Sequence, residues 1–424
     1  MSILCGTDLS AASGGALEVA VALAAQQGLR EVVLVHVVDP ALQIAGGSAA
    51  TREQALEQAR GELEAQATAY ATPTVAVRTE LVLGPPDQTL VGLAETEHSH
   101  LIVIAARSTS SKLLRLGTTS MDIITRSHVP VLVIRDPAPW LGFARGERPL
   151  RLLLGMDDST TCDLGVQWTH ALRKLGRVDV VLGAIYYPDE TSDHYGLTRG
   201  THVDRDPEIE RLMTRDLLRR FGETENVVAM PRRGLGRIGD HVVELAREEQ
   251  VDVIVVGTAQ KTGFGRLGSV STVIVNDASQ SVLCVPPQAD VPTQLVPVLR
   301  VSLVATDLSQ FANRAVAYAF AAIEPDGEVH IVHVVKNDVA IDQAEVTKSL
   351  VALTPSGAKQ TVTAHVVHGD DAAATIAQCA ARLGVDVICI ASHGRSGISR
   401  ALVGSVADRL LRATRLPVLV LRPG

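Results

Sequence analysis

Glycine, serine and arginine residues gather near the end of the chain in a spacing suited to phosphate. Gly394 and Gly404 would let the backbone approach a ligand closely. Ser405 offers a hydroxyl and an amide at the start of a predicted helix, where free N–H groups and the helix dipole attract anions. Arg395 and Arg400 add positive charge. The stretch therefore predicts a site for a nucleotide or another phosphate compound.

The same residues also have an ordinary structural interpretation. Glycine and serine before a helix are common capping chemistry, so the loop could be a plain connection. His393, beside Gly394, could equally pack within the loop or face solvent. The choice depends on whether the pattern belongs to a repeated design.

A strand that ends on a small residue and an aspartate occurs three times, about 140 residues apart. These aspartates are Asp8, Asp157 and Asp307. In each copy, apolar strands alternate with helix-period stretches, which indicates parallel strands covered on both faces. We therefore predict an α/β fold of three tandem doubly wound domains, each a five-stranded, mainly parallel sheet with helices on both faces.

Proline-rich stretches at 135–149 and 286–297 divide the three copies and are the predicted linkers. The predicted domains span 1–138, 149–288 and 299–424. A chain of 424 residues suits two or three domains of ordinary size, so the repeat and the length agree.

The composition and the termini exclude several classes of function. A net charge of −8 gives no basic face for nucleic acid. No apolar run reaches the roughly 18–20 residues that span a bilayer, and the N-terminus lacks an export signal, so we expect a cytoplasmic protein without a membrane partner. The five cysteines show no CxxC spacing and read as small buried hydrophobic residues.

A doubly wound sheet binds ligands at the carboxyl ends of its strands, at the point where the strand order reverses. In the third copy, the first strand ends near Asp307 and the fourth near Ala391. If these strands are neighbours, the aspartate turn and the glycine loop share one crevice.

The three copies resemble the universal stress protein family, whose ATP-binding motif is G-x2-G-x9-G-[ST]. Gly394, Gly404 and Ser405 match this motif at the right spacing, and Ala391 replaces its first glycine. The resemblance implies ATP, or ADP or AMP, as the ligand, with Mg²⁺ as an optional companion. The loop of the first copy departs strongly and that of the second is shortened, so we expect no ATP in domain 1 and weak or no binding in domain 2.

The resemblance also implies the role of each site residue. Asp307 would lie against the ribose or the phosphates, the backbone of Val334 would meet the adenine, and the loop would hold the phosphates. The candidate nucleotide-binding residues are Ala305, Thr306, Asp307, Val334, Ala391, His393, Gly394, Arg395, Gly404, Ser405 and Val406. No catalytic or metal-binding residue is predicted.

Three functions remain open on this basis. The first is a stress-response regulatory protein whose nucleotide state is read by a partner protein. The others are a slow ATP hydrolase and a nucleotide-independent interaction scaffold. Family members pair through the edge strand near the C-terminus. Domains 1 and 2 are therefore expected to pair within the chain, and the edge at 416–423 to form a homodimer.

Two polar stretches have bland interpretations. Residues 50–70 predict an amphipathic covering helix. Residues 189–206 collect Asp and His side chains without the spacing of a metal site, and are predicted as a solvated loop. The acidic and histidine side chains concerned are Asp193, His194, His202, Asp204 and Asp206.

Overall fold

The computed structural model contains two compact units. It describes residues 2–39, 49–106, 118–157, 159–197, 202–222, 224–258, 270–289, 299–392 and 405–422. The first unit comprises residues 1–186 and 217–295, and the second comprises residues 187–216 and 296–424. The third copy therefore shares its unit with a helical segment that the sequence assigns to the second copy.

Strands and helices alternate through the first copy, as the apolar pattern predicts. Its elements are β1 (Ser2–Thr7), α1 (Ala11–Gln26), β2 (Glu31–Val38), α2 (Ala49–Tyr70), β3 (Ala76–Leu83), α3 (Pro86–Thr96), β4 (Ser99–Ala105), α4 (Thr118–Arg126) and β5 (Val131–Ile134). The following linker is not irregular throughout, because it contains the helix α5 (Ala138–Ala144). Trp140 and Phe143 of this helix are each only 2% exposed, so their burial accounts for the ordered turn.

The second and third copies repeat this alternation. The second contains β6 (Leu150–Gly155), α6 (Thr160–Leu175), β7 (Val178–Tyr186), α7 (Pro188–Tyr195), α8 (His202–Phe221), β8 (Val227–Arg233), α9 (Ile238–Glu248), β9 (Val253–Gly257), α10 (Val270–Asp277) and β10 (Ser281–Val285). The third contains β11 (Val301–Ala305), α11 (Gln310–Ala321), β12 (Glu328–Val335), α12 (Gln343–Val351), β13 (Thr361–His368), α13 (Ala372–Leu383), β14 (Val387–Ala391), α14 (Ser405–Ala413) and β15 (Val418–Leu421).

The predicted loop over 189–206 was wrong, because its described residues lie in α7, at the end of α7 or at the start of α8. Pro188 occupies the first turn of α7, where its missing N–H costs nothing. Gly196 follows the helix in the left-handed region, with φ 63°, and ends it. Local helix-end chemistry thus overrides the polar composition.

The first unit contains one ten-stranded sheet, in the order β3-β2-β1-β4-β5-β10-β9-β6-β7-β8. All neighbours are parallel except β5 and β10, which pair antiparallel through Val131–Cys284, Leu132–Leu283 and Val133–Val282. All six side chains are buried, and Val131, Val133, Val282 and Cys284 belong to one core cluster. The first two copies therefore pair within the chain through their last strands, as predicted.

The second unit contains a five-stranded parallel sheet, in the order β13-β12-β11-β14-β15. Val316 of α11 and Leu350 of α12 pack into one core cluster. Ile376 of α13 and Leu410 of α14 pack into a second cluster. Alternating side chains of β11 enter the two clusters, so the helices cover both faces of the sheet.

The five cysteines are all buried, as expected for small core residues. Burial raises the pKa of Cys5, Cys284 and Cys389 to about 12, so these thiols stay protonated. Across the described ranges, every helix falls short of the length or the apolar character that crossing a bilayer requires.

Candidate functional site

The turn after β11 holds Asp307 in a fixed position. Its Oδ1 accepts the backbone amide of Ser309 at 3.0 Å. Ser309 in turn caps α11 by accepting the amide of Ala312 at 3.2 Å. Thr306 Oγ1 accepts the amide of Leu308 at 3.0 Å, and Leu308 adopts a left-handed φ of 64°. The half-buried carboxylate is thereby fixed at the carboxyl end of the central strand.

The strand β14 runs parallel to β11 and ends beside this turn. Ala305 pairs with Ile390 in the β11–β14 register, and β14 ends at Ala391. The next amide, that of Ser392, donates to the carbonyl of Leu421 at 2.8 Å. The aspartate turn and the first residue of the predicted phosphate loop therefore lie side by side, where the strand order reverses.

Three predicted residues share one face of the sheet. Ala305 belongs to the core cluster beneath α13 and α14, and Val334 and Val406 pack against that cluster. Ala391 packs into the cluster on the opposite face. Ser405 is exposed and is the first residue of α14.

The remaining predicted site residues, His393, Gly394, Arg395 and Gly404, lie outside the described residues, as do most of the corresponding loops of the other two copies. Their roles stay predictions. The described residues thus supply the two flanks of the predicted phosphate loop, β14 and α14.

A histidine that the sequence reasoning did not assign to the site connects β12 to the aspartate turn. The His333 Nδ1 lies 2.8 Å from the carbonyl oxygen of Thr306. The first copy has the same arrangement, with His36 Nδ1 2.9 Å from the carbonyl oxygen of Thr7. Because a carbonyl only accepts, Nδ1 carries a proton in both rings. The repeated His-Val-Val triplet in the two strands was the available signal.

An arginine joins the first turn of α14 to α13. The Arg409 guanidinium donates to the carbonyl of Ser405 at 3.4 Å and to Asp371 Oδ2 at 3.2 Å. Asp371 caps α13, since its Oδ1 accepts the amide of Ala373 at 3.0 Å. The starts of the two helices are therefore linked through one guanidinium.

In the first copy, a side chain of the long helix α2 contacts the aspartate turn. Gln66 Oε1 accepts the hydroxyl of Thr7 at 2.7 Å. Asp8 receives the amide of Ser10 at 3.1 Å. Burial favours a higher pKa for Asp8, but the hydrogen bonds from Ser10, Ser13 and the backbone of the turn together lower the pKa. The turn of this copy is thus tied to its own crossover helix.

In the second copy, Arg220 near the end of α8 makes the corresponding contact. Its guanidinium donates to the carbonyls of Asp157 and Ser159, the latter at 2.9 Å, and to Asp163 at 2.9 Å. In the third copy the comparable contact to Thr306 comes from α11 itself, since Thr306 Oγ1 donates to Asn313 Oδ1 at 2.7 Å. The three turns share the hydrogen bond from the serine amide to the aspartate but differ in what lies against them.

No three His, Cys, Asp or Glu side chains group to hold a metal ion within the part of the chain that the structure describes. The candidate site is therefore a carboxylate turn, an apolar strand and a helix start, arranged around the end of the central strand.

The family model described as the universal stress protein family matches residues 1–135, 150–286 and 300–422. These matches repeat three times and cover most of the chain. The chain belongs to the universal stress protein family. Each copy of the repeat is accordingly one universal stress protein domain, and the three domains stand in tandem.

Solved structures are similar to this universal stress protein to different extents. A universal stress protein from Archaeoglobus fulgidus DSM 4304 is 16% identical, with a TM-score of 0.51, over 67% of this chain and 95% of that one. A functionally unknown protein from Pseudomonas aeruginosa PAO1 is 16% identical, with a TM-score of 0.46, over 68% and 92%. A universal stress protein in complex with cAMP is 18% identical, with a TM-score of 0.26, over 30% and 99%. No curated protein sequence matches the chain.

Proposed function

We propose that this universal stress protein is a stress-response regulatory protein that binds an adenine nucleotide, ATP in the first instance, in domain 3. The observation that carries the proposal is the pairing of β11 with β14. This pairing sets the Asp307 turn beside the strand that enters the one loop whose glycine spacing matches the family motif. Partner proteins would read the nucleotide state of the domain.

In this proposal, different described residues contact the adenine, the ribose and the phosphates. The backbone of Val334, whose side chain packs against the core cluster that contains Ala305, would meet the adenine. Thr306 follows directly after β11 and would lie beside it. The Asp307 carboxylate would accept a hydrogen bond from a ribose hydroxyl. The exposed Ser405 and the adjoining amide of Val406 start α14, where N–H groups attract phosphate.

The sequence motif assigns the loop residues to the phosphates in this proposal. Gly394 and Gly404 would bring the backbone to the phosphates. Arg395 would line the loop between these glycines, and His393 would lie directly before Gly394. Ala391 begins this loop in place of the family glycine. Mg²⁺ would be held mainly by the nucleotide phosphates, because Mg²⁺ in such sites keeps few protein ligands.

Domains 1 and 2, at 1–138 and 149–288, serve in this proposal as a structural platform. They pair through β5 and β10, whereas β15, the last strand of domain 3 (299–424), is an edge strand whose Leu419 is 42% exposed. We propose that β15 pairs with β15 of a second copy of the chain. An open apolar edge of this kind requires a partner.

The test uses nucleotide released from freshly purified protein, identified by mass spectrometry, together with thermal shift in ATP, ADP, AMP and cAMP. Gly404→Val should abolish the ATP-induced rise in Tm, because a side chain at that position blocks backbone approach. Gly117→Val, at the matching position of domain 1, should leave the rise unchanged. Absence of both bound nucleotide and a thermal shift in the unaltered protein would refute the proposal.

The interaction scaffold remains a second candidate because of the β5–β10 pairing and the occupied turns of domains 1 and 2. It predicts that Gly404→Val leaves partner capture unchanged. Under the regulatory proposal, capture changes with ATP in the unaltered protein and becomes insensitive to ATP in Gly404→Val. Multiple-turnover ATP hydrolysis that Gly404→Val abolishes would instead assign the slow hydrolase.

A further inference from the structure

The second unit contains a segment that the sequence assigns to domain 2. Residues 187–216, named here the helical insert, comprise α7 and most of α8 and cluster with domain 3. The insert lies against α13, the helix that precedes β14.

Apolar contacts join the insert to the last turn of α13. Tyr195 and Leu212 are 4% and 1% exposed and form a core cluster with Ala381. Gly196 lies against Gln378, since a Cβ at this glycine would meet the Cβ of Gln378 at 3.1 Å. Gln378 Nε2 also donates to the carbonyl of Asp193 at 3.3 Å. The contact is therefore close-packed.

Arg215 of the insert caps the carboxyl end of α13. Its guanidinium donates to the carbonyl of Ala381 at 2.7 Å and to the carbonyl of Arg382. The last carbonyls of a helix lack intrahelical partners and carry negative partial charge, so a cation there stabilises the helix. Asp216 orients the cap by accepting Arg215 Nε at 2.7 Å and the Tyr195 hydroxyl at 2.8 Å.

The other side of α13 supports α14. Ile376 and Ala380 of α13 share a core cluster with Ala407 and Leu410 of α14. At their starts, Arg409 links the two helices, as described above. A displacement of α13 must therefore shift or loosen the first turn of α14, where Ser405 lies.

We propose that the helical insert is an intrachain clamp that orders α13 and, through it, the first turn of α14. Only the effect on nucleotide affinity rests on the proposed function. Because Ser405 lies at the proposed phosphate end of the site, an engaged clamp raises nucleotide affinity. Domain 2 thereby conditions the site of domain 3 without binding nucleotide itself.

The test is hydrogen exchange of the nucleotide-free full-length protein, comparing Arg215→Ala with Arg211→Ala. Arg211 lies one turn earlier on α8, is 65% exposed and pairs with Glu208. Loss of the two charge-assisted hydrogen bonds to α13 should accelerate exchange roughly three- to tenfold over 376–383 and 409–413 in Arg215→Ala, where 409–413 carry the amides that bond to the carbonyls of the first turn of α14. Arg211→Ala should leave both regions unchanged. Equal exchange in the two variants would overturn the clamp.

A milder variant keeps the test informative if Arg215→Ala misfolds. Tyr195→Phe removes only the hydroxyl that contacts Asp216 and retains the packed ring. It should accelerate the same regions by a smaller factor, roughly twofold. Acceleration spread evenly over both units, or none at all, would contradict a local clamp.

Nucleotide supplies a reciprocal test, because coupling between two events works in both directions. ATP should slow exchange within 187–216, and Arg215→Ala should weaken ATP binding about three- to tenfold. Unchanged affinity in a protein that does bind ATP would refute control of the site by the clamp. If the unaltered protein binds no nucleotide, the proposed function fails, and the exchange of α13 and α14 still decides the clamp.

Discussion

Substitutions of Asp307 and Asp8 can separate ligand binding from turn stability, because Asp8 occupies the corresponding turn of domain 1. Both carboxylates accept the amide two residues on, at 3.0 Å for Asp307 and 3.1 Å for Asp8. Asp307→Ala and Asp8→Ala therefore both remove the acceptor of a turn amide, and Asp8→Ala also removes the acceptor of the Ser10 hydroxyl. Only the first should also remove a contact to nucleotide.

The structural cost of each substitution follows from that hydrogen bond. Loss of a turn amide's acceptor costs about 1 kcal/mol, which lowers Tm by about 2–4 °C in a unit of this size. Loss of an additional hydrogen bond between the carboxylate and a ribose hydroxyl costs about 1.5–3 kcal/mol. Asp307→Ala should therefore weaken ATP binding roughly ten- to hundredfold.

The assay is isothermal titration of ATP into each folded variant, with Tm measured by circular dichroism. Asp8→Ala should lose thermal stability and keep full affinity. Asp307→Asn should retain the turn, because the amide oxygen replaces Oδ1 as acceptor, and should still bind ATP less tightly. The reasoning is refuted if Asp307→Ala binds like the unaltered protein, or if Asp8→Ala weakens binding equally.

Three further predictions concern assembly, pH and thiols. Leu419→Lys places a charge on the β15 edge and should convert a dimer to a monomer by light scattering; an unchanged mass would exclude this edge. Burial and the charge of Arg382 lower the pKa of His365, although the charge of Glu328 acts in the opposite direction. The Nε2 of His365 lies 3.1 Å from the Nδ1 of His330. As the pH falls, the imidazole of His365 binds its proton in the unfolded chain before it does so in the folded one, so this residue should destabilise domain 3 below about pH 6.5 and not above it. His365→Gln should therefore flatten the dependence of the urea midpoint on pH. Equal pH dependence of the variant and the unaltered protein would contradict this. The five buried cysteines should not react with a thiol reagent until denaturant is added. Rapid labelling of the folded protein would contradict their burial.

The repeated strand pattern predicted the architecture because parallel strands buried on both faces leave continuous apolar runs. It also located the turns at Asp8, Asp157 and Asp307, where a strand end, an aspartate and a capping serine coincide. The intrachain pairing of β5 with β10 followed from the family resemblance and from the need to cover apolar edges.

Contacts between distant segments could not be predicted in the same way. Gln66 and Arg220 reach the turns of domains 1 and 2 from long helices, and that depends on helix length and rotation rather than on a motif. The helical insert was mistaken for a loop because its polar composition outweighed the helix-end signals of Pro188 and Gly196, and Pro207 interrupts the helical pattern of α8. Its role against α13 emerges only from the packing of Tyr195.

The stoichiometry of ATP binding to the full-length chain tests the central claim most directly. One loop of three keeps the family spacing, and it follows the strand beside Asp307. Isothermal titration should therefore give one ATP per chain, and Gly404→Val should reduce it to none. Binding of two or three equivalents, or one equivalent that survives Gly404→Val, would contradict a single nucleotide site in domain 3.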